Sequence, residues 1–248
     1  MLHLFIYLIV TSLSGNFAGN YRDTCEKINP YNNVEFLTGK TFAPSDSLFS
    51  ALPPQCSNYG SQYLLCEAAD SFNAMYAAAK KDGIVLQVVS AYRSFDIQKK
   101  LWENSWAKNR RSFRDDNGLS AYILRYLSMP CTSRHHWGTE VDVCSTALSW
   151  WQTLYGQKTY RWLENNAAKY GFYQPYGPLG PVRKSGYQEE KWHWSFAPLA
   201  SQFIVFYNNS VGYQHITGFS GSNTAAFHRV IENYVLSVDS VPSGLIRL

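Results

Sequence analysis

The chain has 248 residues, which suits one domain or one domain with an extension. Apolar residues make up 46% and charged residues 16%, so the composition supports a sizeable core and excludes a globally disordered chain. The net charge is only +4, and no segment resembles a nucleic-acid-binding motif, so no nucleic-acid partner is predicted.

Residues 1–18 are predicted to be a signal peptide. The stretch Leu4–Leu13 is almost wholly apolar and is followed by small and polar residues, and it is too short for a comfortable transmembrane helix. This end lacks Lys and Arg, so a buried N-terminal strand is the alternative. We therefore expect an exported protein of the periplasm or cell envelope, with no membrane span once the signal is removed.

The remainder of the chain predicts a mixed helix and strand domain. Residues 19–59 are rich in Asn, Pro, Ser and Gly and predict an irregular N-terminal arm. Periodicity and capping residues predict these later elements: helix 64–81, strand 84–91, helix 95–107 with Ser94 as N-cap, helix 119–127, strand 140–144, helix 159–170, and a C-terminal helix with an apolar face at Phe227, Val230, Ile231, Tyr234 and Val235. Because helices and strands do not alternate strictly, the pattern favours an α+β fold with a small antiparallel sheet.

Five cysteines are present: Cys25, Cys56, Cys66, Cys131 and Cys144. An exported chain can form disulfides, and the odd number leaves one thiol over. The local pairs Cys56–Cys66 and Cys131–Cys144 are the first candidates, but the sequence leaves the connectivity open.

Two short aromatic-rich segments contain candidate metal ligands. SRHHWGTEVDV includes His135 and Asp142, with Gly138 between them to permit a sharp turn, and EKWHW includes His193. A second strand beside the first would bring His193 to the same point. Two His, one Asp and a nearby unligated Glu are the residues of a zinc hydrolase. Taken singly, each histidine is more often a hydrogen-bonded surface or core residue, so spacing alone leaves the metal site open.

A cysteine peptidase is a competing interpretation of the same region. It would use Cys131 or Cys144 with His135 or His136. An exported cysteine is more often part of a disulfide, and a thiolate so close to a zinc site would interfere with ligation. The sequence therefore disfavours this alternative.

Three motifs resemble those of the VanY-type D-alanyl-D-alanine carboxypeptidases, in the wider group of lysostaphin-like, D-Ala-D-Ala and hedgehog-like zinc folds. SRHHWGTEVD resembles the S-x-H-x-x-G-x-x-x-D motif, EKWHW resembles E-x-W-H, and SAYRSFDIQ resembles Y-R-S-x-x-x-Q. They occur in the family's order over roughly residues 64–196. The resemblance implies a zinc carboxypeptidase domain over residues 60–248, with the zinc site on the small antiparallel sheet and helices flanking it.

The resemblance also implies roles for individual residues. His135, Asp142 and His193 match the ligands of one zinc ion per chain, and Glu190 matches the catalytic base. That base would deprotonate the attacking water and pass the proton to the leaving amine. A regular strand would place Glu190 and His193 on opposite faces, so we expect a turn or bulge between them.

Other matched positions imply contacts with substrate. Arg93 matches an arginine that would hold the scissile carbonyl or the terminal carboxylate. Gln98 and Ser133 match positions that line the cleft, although Ser133 alternatively caps a turn. Trp192, a further candidate at the substrate site, is expected to pack beneath it. His136 has no implied role and is expected to point away from His135.

The chain departs from the family pattern at two positions. Glu140 stands where the family often has Ala, and Lys191 where it often has Pro. Glu140 is either an acid that orients a histidine or an exposed side chain. The departures affect the expected substrate preference more than the expected zinc site.

The implied function is removal of a C-terminal D-alanine from peptidoglycan stem peptides or muropeptides. An L,D-carboxypeptidase and a D-Ala-D-Ala dipeptidase are alternatives of the same class. A non-catalytic zinc module that binds the cell wall is a third, disfavoured by the presence of both Glu190 and Arg93. The sequence does not distinguish D,D from L,D cleavage, and it does not indicate the oligomeric state.

Overall fold

A four-stranded antiparallel sheet lies at the centre of the computed structural model, which describes residues 33–41 and 47–245. Its strands, in spatial order, are β3 (Val88–Ser90), β4 (Glu140–Val143), β6 (His193–Phe196) and β5 (Phe172–Tyr173). A separate antiparallel pair consists of β1 (Phe49–Ala51) and β2 (Tyr63–Leu65). The predicted α+β class with a small antiparallel sheet is confirmed.

Helices pack around this sheet. Those in the described ranges are α1 (Val34–Leu37), α2 (Cys66–Lys81), α3 (Phe95–Asn109), α4 (Asp116–Ile123), α5 (Leu148–Trp151), α6 (Leu154–Asn166) and α7 (Ala197–Ser210). Capping sets several of the boundaries. The side chain of Ser94 accepts a hydrogen bond from the backbone N–H of Ile97 and so starts α3, as predicted. After α6, a short 3-10 turn ends at Gly171, whose φ of +79° is the left-handed conformation that glycine favours.

The central strands separate a buried apolar face from a polar one. Side chains alternate along β4, so Val141 and Val143 enter the core that contains α2. Glu140 and Asp142 point to the opposite face. Because β4 and β6 are antiparallel with Asp142 opposite His193 and Glu140 opposite Ser195, all four polar side chains share that face.

The C-terminal segment differs from its prediction. In place of a regular helix it has a 3-10 turn at Ser222–Thr224 and a short π-helical turn at Ile231–Val235. Arg229 has a φ of +50°, which breaks any α-helix between the two turns, and Phe227 is 70% exposed. The predicted apolar face is therefore wrong at Phe227, while Ile231 and Val235 are buried as expected.

Other element boundaries also shift. Residues 64 and 65 belong to β2, so the helix predicted over 64–81 begins at Cys66. The helix predicted over 119–127 begins earlier, because the side chain of Asp115 caps it, and it ends at Ile123. The strand predicted over 84–91 shortens to Val88–Ser90, and α7 was not predicted.

The described part of the predicted irregular arm is ordered and packed. It contains α1 and β1, and the side chains of Phe36 and Leu37 are fully buried. Residues 1–18, predicted as a signal peptide, lie outside the described ranges. No helix in those ranges is long and apolar enough to cross a membrane.

Neither candidate disulfide is formed. Cys56, Cys66, Cys131 and Cys144 all carry free thiols, and Cys25 lies outside the described residues. Cys131 belongs to the core around α3 and α7, whereas Cys144 packs against the core around α2, so the two thiols belong to different cores. The Cys66 thiol lies instead 3.5 Å from the Ser50 hydroxyl.

Candidate active site

A tight turn brings together the first two candidate ligands. His135 lies in a 3-10 turn, Arg134–Trp137, which ends at Gly138 with a φ of +69°, and β4 follows directly. A Cβ at Gly138 would lie 2.6 Å from the Phe49 ring, so only glycine fits. The turn therefore folds the chain back and places His135 against Asp142.

Strand pairing adds the third candidate ligand. His193 of β6 lies opposite Asp142 of β4. His135 Nε2 is 3.2 Å from Asp142 Oδ2, and His193 Nδ1 is 3.1 Å from Asp142 Oδ1. One ligand atom from each of these three buried residues lies within 4.8 Å of the others, which is the separation of atoms that share one metal ion.

Each histidine is fixed by a partner on its outer nitrogen. His135 Nδ1 lies 2.6 Å from the carbonyl oxygen of Ala91, which can only accept, so this nitrogen donates and Nε2 keeps its lone pair. His193 Nε2 lies 2.8 Å from Glu140 Oε2, so a neutral ring that donates from Nε2 has its Nδ1 lone pair free for a metal ion on the Asp142 side. Two imidazole lone pairs and one carboxylate thus converge, and this donor set fits a zinc ion with one position left for water.

The charges around this point favour a cation. Burial alone would lower the pKa of His193, but its hydrogen bonds to Asp142 and Glu140 raise that pKa to about 9. Burial alone would raise the pKa of Asp142, but His135, His193 and Arg93 hold it well below its usual value. The Arg93 guanidinium occupies the position of the favoured cation, with Nη2 2.8 Å from His135 Nε2 and 2.5 Å from Asp142 Oδ2.

Glu190 lies beside the histidine cluster because of the expected turn. Lys191 and Trp192 form that turn, and the backbone N–H of His193 donates to the carbonyl of Glu190. Glu190 Oε2 is 3.4 Å from His193 Nδ1. Burial raises the pKa of Glu190 to about 7 even though His193 and Arg93 oppose the shift. A carboxyl group with a pKa near neutrality is suited to accept and return a proton.

Besides its contacts with His135 and Asp142, Arg93 is held by two further side chains. Its Nε donates to Ser90 Oγ at 2.7 Å, and its Nη1 donates to Gln98 Oε1 at 3.1 Å. Gln98 is fully buried, and its Nε2 donates to the carbonyl of Ser128. Gln98 therefore lies behind Arg93. It does not line the cleft, so the predicted position of this residue is wrong.

A cleft of about 750 Å³ opens over these groups. Ser133 lines it, and its buried hydroxyl has no hydrogen-bond partner within residues 33–41 and 47–245, nor does it cap a turn. Trp192 lines the cleft floor while most of its ring is buried in the core. The outer rim carries large exposed apolar side chains, which are Ile97, Leu101, Tyr126 and Leu148.

His136 lies apart from its neighbour His135. It is fully buried, and its Nδ1 contacts the backbone carbonyl of Arg93 at 2.7 Å. Burial lowers the pKa of His136 to about 3, so it is neutral and structural. The side chain is not part of the metal-ligand cluster found among the described residues.

The structure decides between the two alternatives for Glu140, and it adds residues that the sequence did not indicate. Glu140 is fully buried and bonded to His193, so the exposed alternative is wrong. It pairs with the buried Arg134, which was missed. The opposite charges at 134 and 140, both inside the motif, are the one sequence signal for this pair. Tyr176, whose ring centroid is 4.9 Å from that of His193, comes from a loop with no distinguishing pattern.

The cysteine peptidase alternative is disfavoured by the positions of the thiols. Neither Cys131 nor Cys144 is among the residues that line the cleft. Burial raises the pKa of Cys131 to about 11 and that of Cys144 to about 12, so both are protonated near neutrality.

Comparison with known proteins identifies relatives over this region. The family model VanY, described as D-alanyl-D-alanine carboxypeptidase, matches residues 61–199. YodJ of Bacillus subtilis (strain 168) is 32% identical over 135 residues, which are 53% of this chain and 45% of YodJ. The D-alanyl-D-alanine carboxypeptidase of Enterococcus faecalis is 24% identical over 133 residues, or 54% of this chain and 48% of that protein. The chain spans about half the length of these two relatives.

A solved structure is similar in fold. The LdcB LD-carboxypeptidase aligns with a TM-score of 0.51 and 22% sequence identity, over 84% of this chain and 89% of that one. At this identity the likeness concerns the arrangement of helices and sheet, which agrees with the α+β architecture described above.

Proposed function

The chain belongs to the VanY family of D-alanyl-D-alanine carboxypeptidases, and from this premise we propose that it is an exported zinc peptidase that removes the C-terminal D-alanine from peptidoglycan stem peptides. The observation that carries the proposal is the convergence of two imidazole nitrogens and one carboxylate beside Glu190. The proposed zinc carboxypeptidase domain covers residues 60–248, and the proposed signal peptide covers residues 1–18.

In this proposal His135, Asp142 and His193 hold one zinc ion. When bound, zinc polarises the substrate carbonyl and lowers the pKa of water. Glu190 takes a proton from the attacking water and delivers it to the leaving amine. One C–N bond is broken and one C–O bond is formed, so the products are a shortened peptide with a free carboxylate and free D-alanine.

In the same proposal Arg93 binds the substrate. Its side chain is 13% exposed and reaches the cleft beside the ligand cluster. The lone pair of His135 Nε2 can serve a metal ion or Arg93 Nη2 but not both, so Arg93 would be released from His135 to hold the scissile carbonyl or the terminal carboxylate. Gln98 positions Arg93, the Ser133 hydroxyl is available to substrate, and Trp192 supports the floor.

The properties of Glu190 and the size of the cleft support catalysis over mere binding. Glu190 is buried, lies next to His193 Nδ1, and has a pKa near 7. A module that only binds the cell wall has no need of a buried proton acceptor beside the metal ligands. The cleft is also large enough for a short peptide.

Mass spectrometry of purified muropeptides incubated with the zinc-loaded protein tests the proposal. We expect pentapeptide stems to lose one alanine and tetrapeptide stems to remain intact. Loss of one residue from tetrapeptides would identify L,D cleavage instead, and release of a dipeptide would identify a dipeptidase. Absence of any cleavage by protein with one bound zinc would contradict the enzymatic function. A chelator should stop the reaction and zinc should restore it, while alkylation of thiols should have no effect.

A further inference from the structure

Glu140 and Arg134 form a buried ion pair behind the candidate metal site. Arg134 Nη2 is 3.1 Å from Glu140 Oε1, and both side chains are almost completely buried. Buried charges of this kind are costly and are tolerated only when paired and hydrogen-bonded. Packing alone therefore does not explain why this pair of charged side chains is buried.

The Glu140 carboxylate accepts four hydrogen bonds. Oε1 accepts from Arg134, from the Ser195 hydroxyl at 2.7 Å and from the Thr139 hydroxyl at 3.0 Å. Oε2 is left for one partner, which is His193 Nε2 at 2.8 Å. The carboxylate is thus held so that one oxygen faces the imidazole.

Arg134 is bonded through a single nitrogen. Its Nη2 contacts Glu140 and Ser195, and its guanidinium lies 4.6 Å from the centre of the Trp137 ring. Nε and Nη1 have no hydrogen-bond partner within the described ranges. Arg134 therefore acts mainly through its positive charge, which compensates the negative charge of Glu140 in a site that water does not reach.

Strand register explains why the imidazole lies between two acids. Glu140 and Asp142 are two residues apart on one face of β4, opposite Ser195 and His193 of β6. The ring of His193 presents Nδ1 to Asp142 at 3.1 Å and Nε2 to Glu140 at 2.8 Å. Each nitrogen thus has its own carboxylate.

We propose that the Arg134–Glu140 pair is a positioning device that fixes the proton of His193 on Nε2, assigns Nδ1 to the metal, and strengthens zinc binding through the charge of Glu140. The effect on zinc binding rests on the proposed function, whereas the position of the His193 proton does not. Partners of metal-bound histidines typically change metal affinity by roughly 10- to 100-fold when mutated. The chain has Glu140 where its motif family often has Ala, so the device is a feature of this sequence.

The decisive variant replaces both charges with apolar residues of similar volume, Arg134→Met with Glu140→Leu. Such exchanges of a buried ion pair are often neutral or stabilising, so the fold should persist. We expect roughly 10- to 100-fold weaker zinc binding, measured by competition with a chelator. Nitrogen-15 NMR of the zinc-free proteins, recorded at a pH where the His193 ring is neutral, should show a mixture of tautomers in the variant and a proton on Nε2 in wild type.

Two further variants separate positioning from packing. Glu140→Gln keeps an acceptor but removes the charge, so zinc binding should weaken less than in the double variant. Thr159→Val removes a buried hydroxyl that has no hydrogen-bond partner among the described residues and does not line the cleft, so the zinc affinity and the His193 tautomer should match wild type.

Distinct outcomes overturn the inference and the proposed function. Zinc binding by the double variant and by Glu140→Gln as tight as that of wild type would overturn the inference. A neutral wild-type His193 ring with its proton on Nδ1 would overturn it as well. Wild-type protein that binds no zinc would overturn the proposed function, and the tautomer measured without zinc would still decide how Glu140 positions His193.

Discussion

The two walls of the cleft are built on different principles. The inner wall is the polar face of β4 and β6, where Asp142, His193 and Glu140 are buried and strand pairing sets their separations. The outer wall includes the first turns of α3, where Ile97 and Leu101 are large apolar side chains that face solvent. Backbone hydrogen bonds between strands therefore fix the inner wall. The outer wall consists of exposed apolar side chains that a substrate can cover. The difference suggests that the chemistry belongs to the inner wall and substrate preference to the outer wall.

The largest effect is expected on the inner wall from His193→Ala. It removes one of three ligand atoms, so we expect loss of bound zinc and of all zinc-dependent turnover. Wild-type protein should be stabilised by about 2.7 kcal/mol when free zinc is 100 times its Kd, and the variant should show no such gain. Metal analysis and thermal unfolding with and without zinc measure both.

His136→Ala is the matched control for that variant. His136 is equally buried but lies outside the ligand cluster, so this variant should lose stability and keep its zinc. An unchanged zinc content in His193→Ala would remove that residue from the ligand set.

The second largest loss of activity is expected from Glu190→Gln. The amide cannot accept the proton, so kcat should fall by roughly 10²- to 10⁴-fold while zinc content stays unchanged. Steady-state kinetics and metal analysis on the same preparation test this. Glu189→Gln alters the neighbouring, partly exposed acid and should retain full activity. Retained turnover in Glu190→Gln would exclude it as the base.

Arg93 lies at the junction of the two walls, and an intermediate effect is expected there. Lysine cannot donate to Ser90 and Gln98 and also reach a substrate, so Arg93→Lys should lower kcat/KM by roughly 10- to 100-fold. Gln98→Leu removes the support at Nη1 and the bond to Ser128 but keeps the guanidinium, so it should lower kcat/KM less than Arg93→Lys does. Equal losses in both variants would show that Gln98 does more than position Arg93.

The smallest effect is expected on the outer wall. Leu148→Ala removes apolar surface at the rim, worth about 1 kcal/mol, so KM for a muropeptide should rise severalfold with kcat unchanged. Leu154→Ala removes a more exposed leucine that does not line the cleft and should leave KM unchanged. A change in kcat for Leu148→Ala would contradict the separation between the walls.

Local signals explain which elements were predictable. The N-cap at Ser94 and the sharp turn at Gly138 depend on a few adjacent residues, so the sequence identified both. The C-terminal helix was mistaken because apolar spacing near Ile231 does not reveal the positive φ of Arg229. The prediction of a local Cys131–Cys144 disulfide was wrong for a similar reason. The two cysteines are close in sequence but pack with different cores.

The sequence by itself determined the chemical types at the site: two histidines, an aspartate and a glutamate in motifs whose order indicated the family. Only the tertiary structure decided their surroundings. Pairing of β4 with β6 put Glu140 on one nitrogen of His193 and Asp142 on the other, and it buried an acid that the sequence could equally have left exposed. Burial and hydrogen-bond partners depend on residues more than fifty positions apart, and no spacing within one motif contains that information.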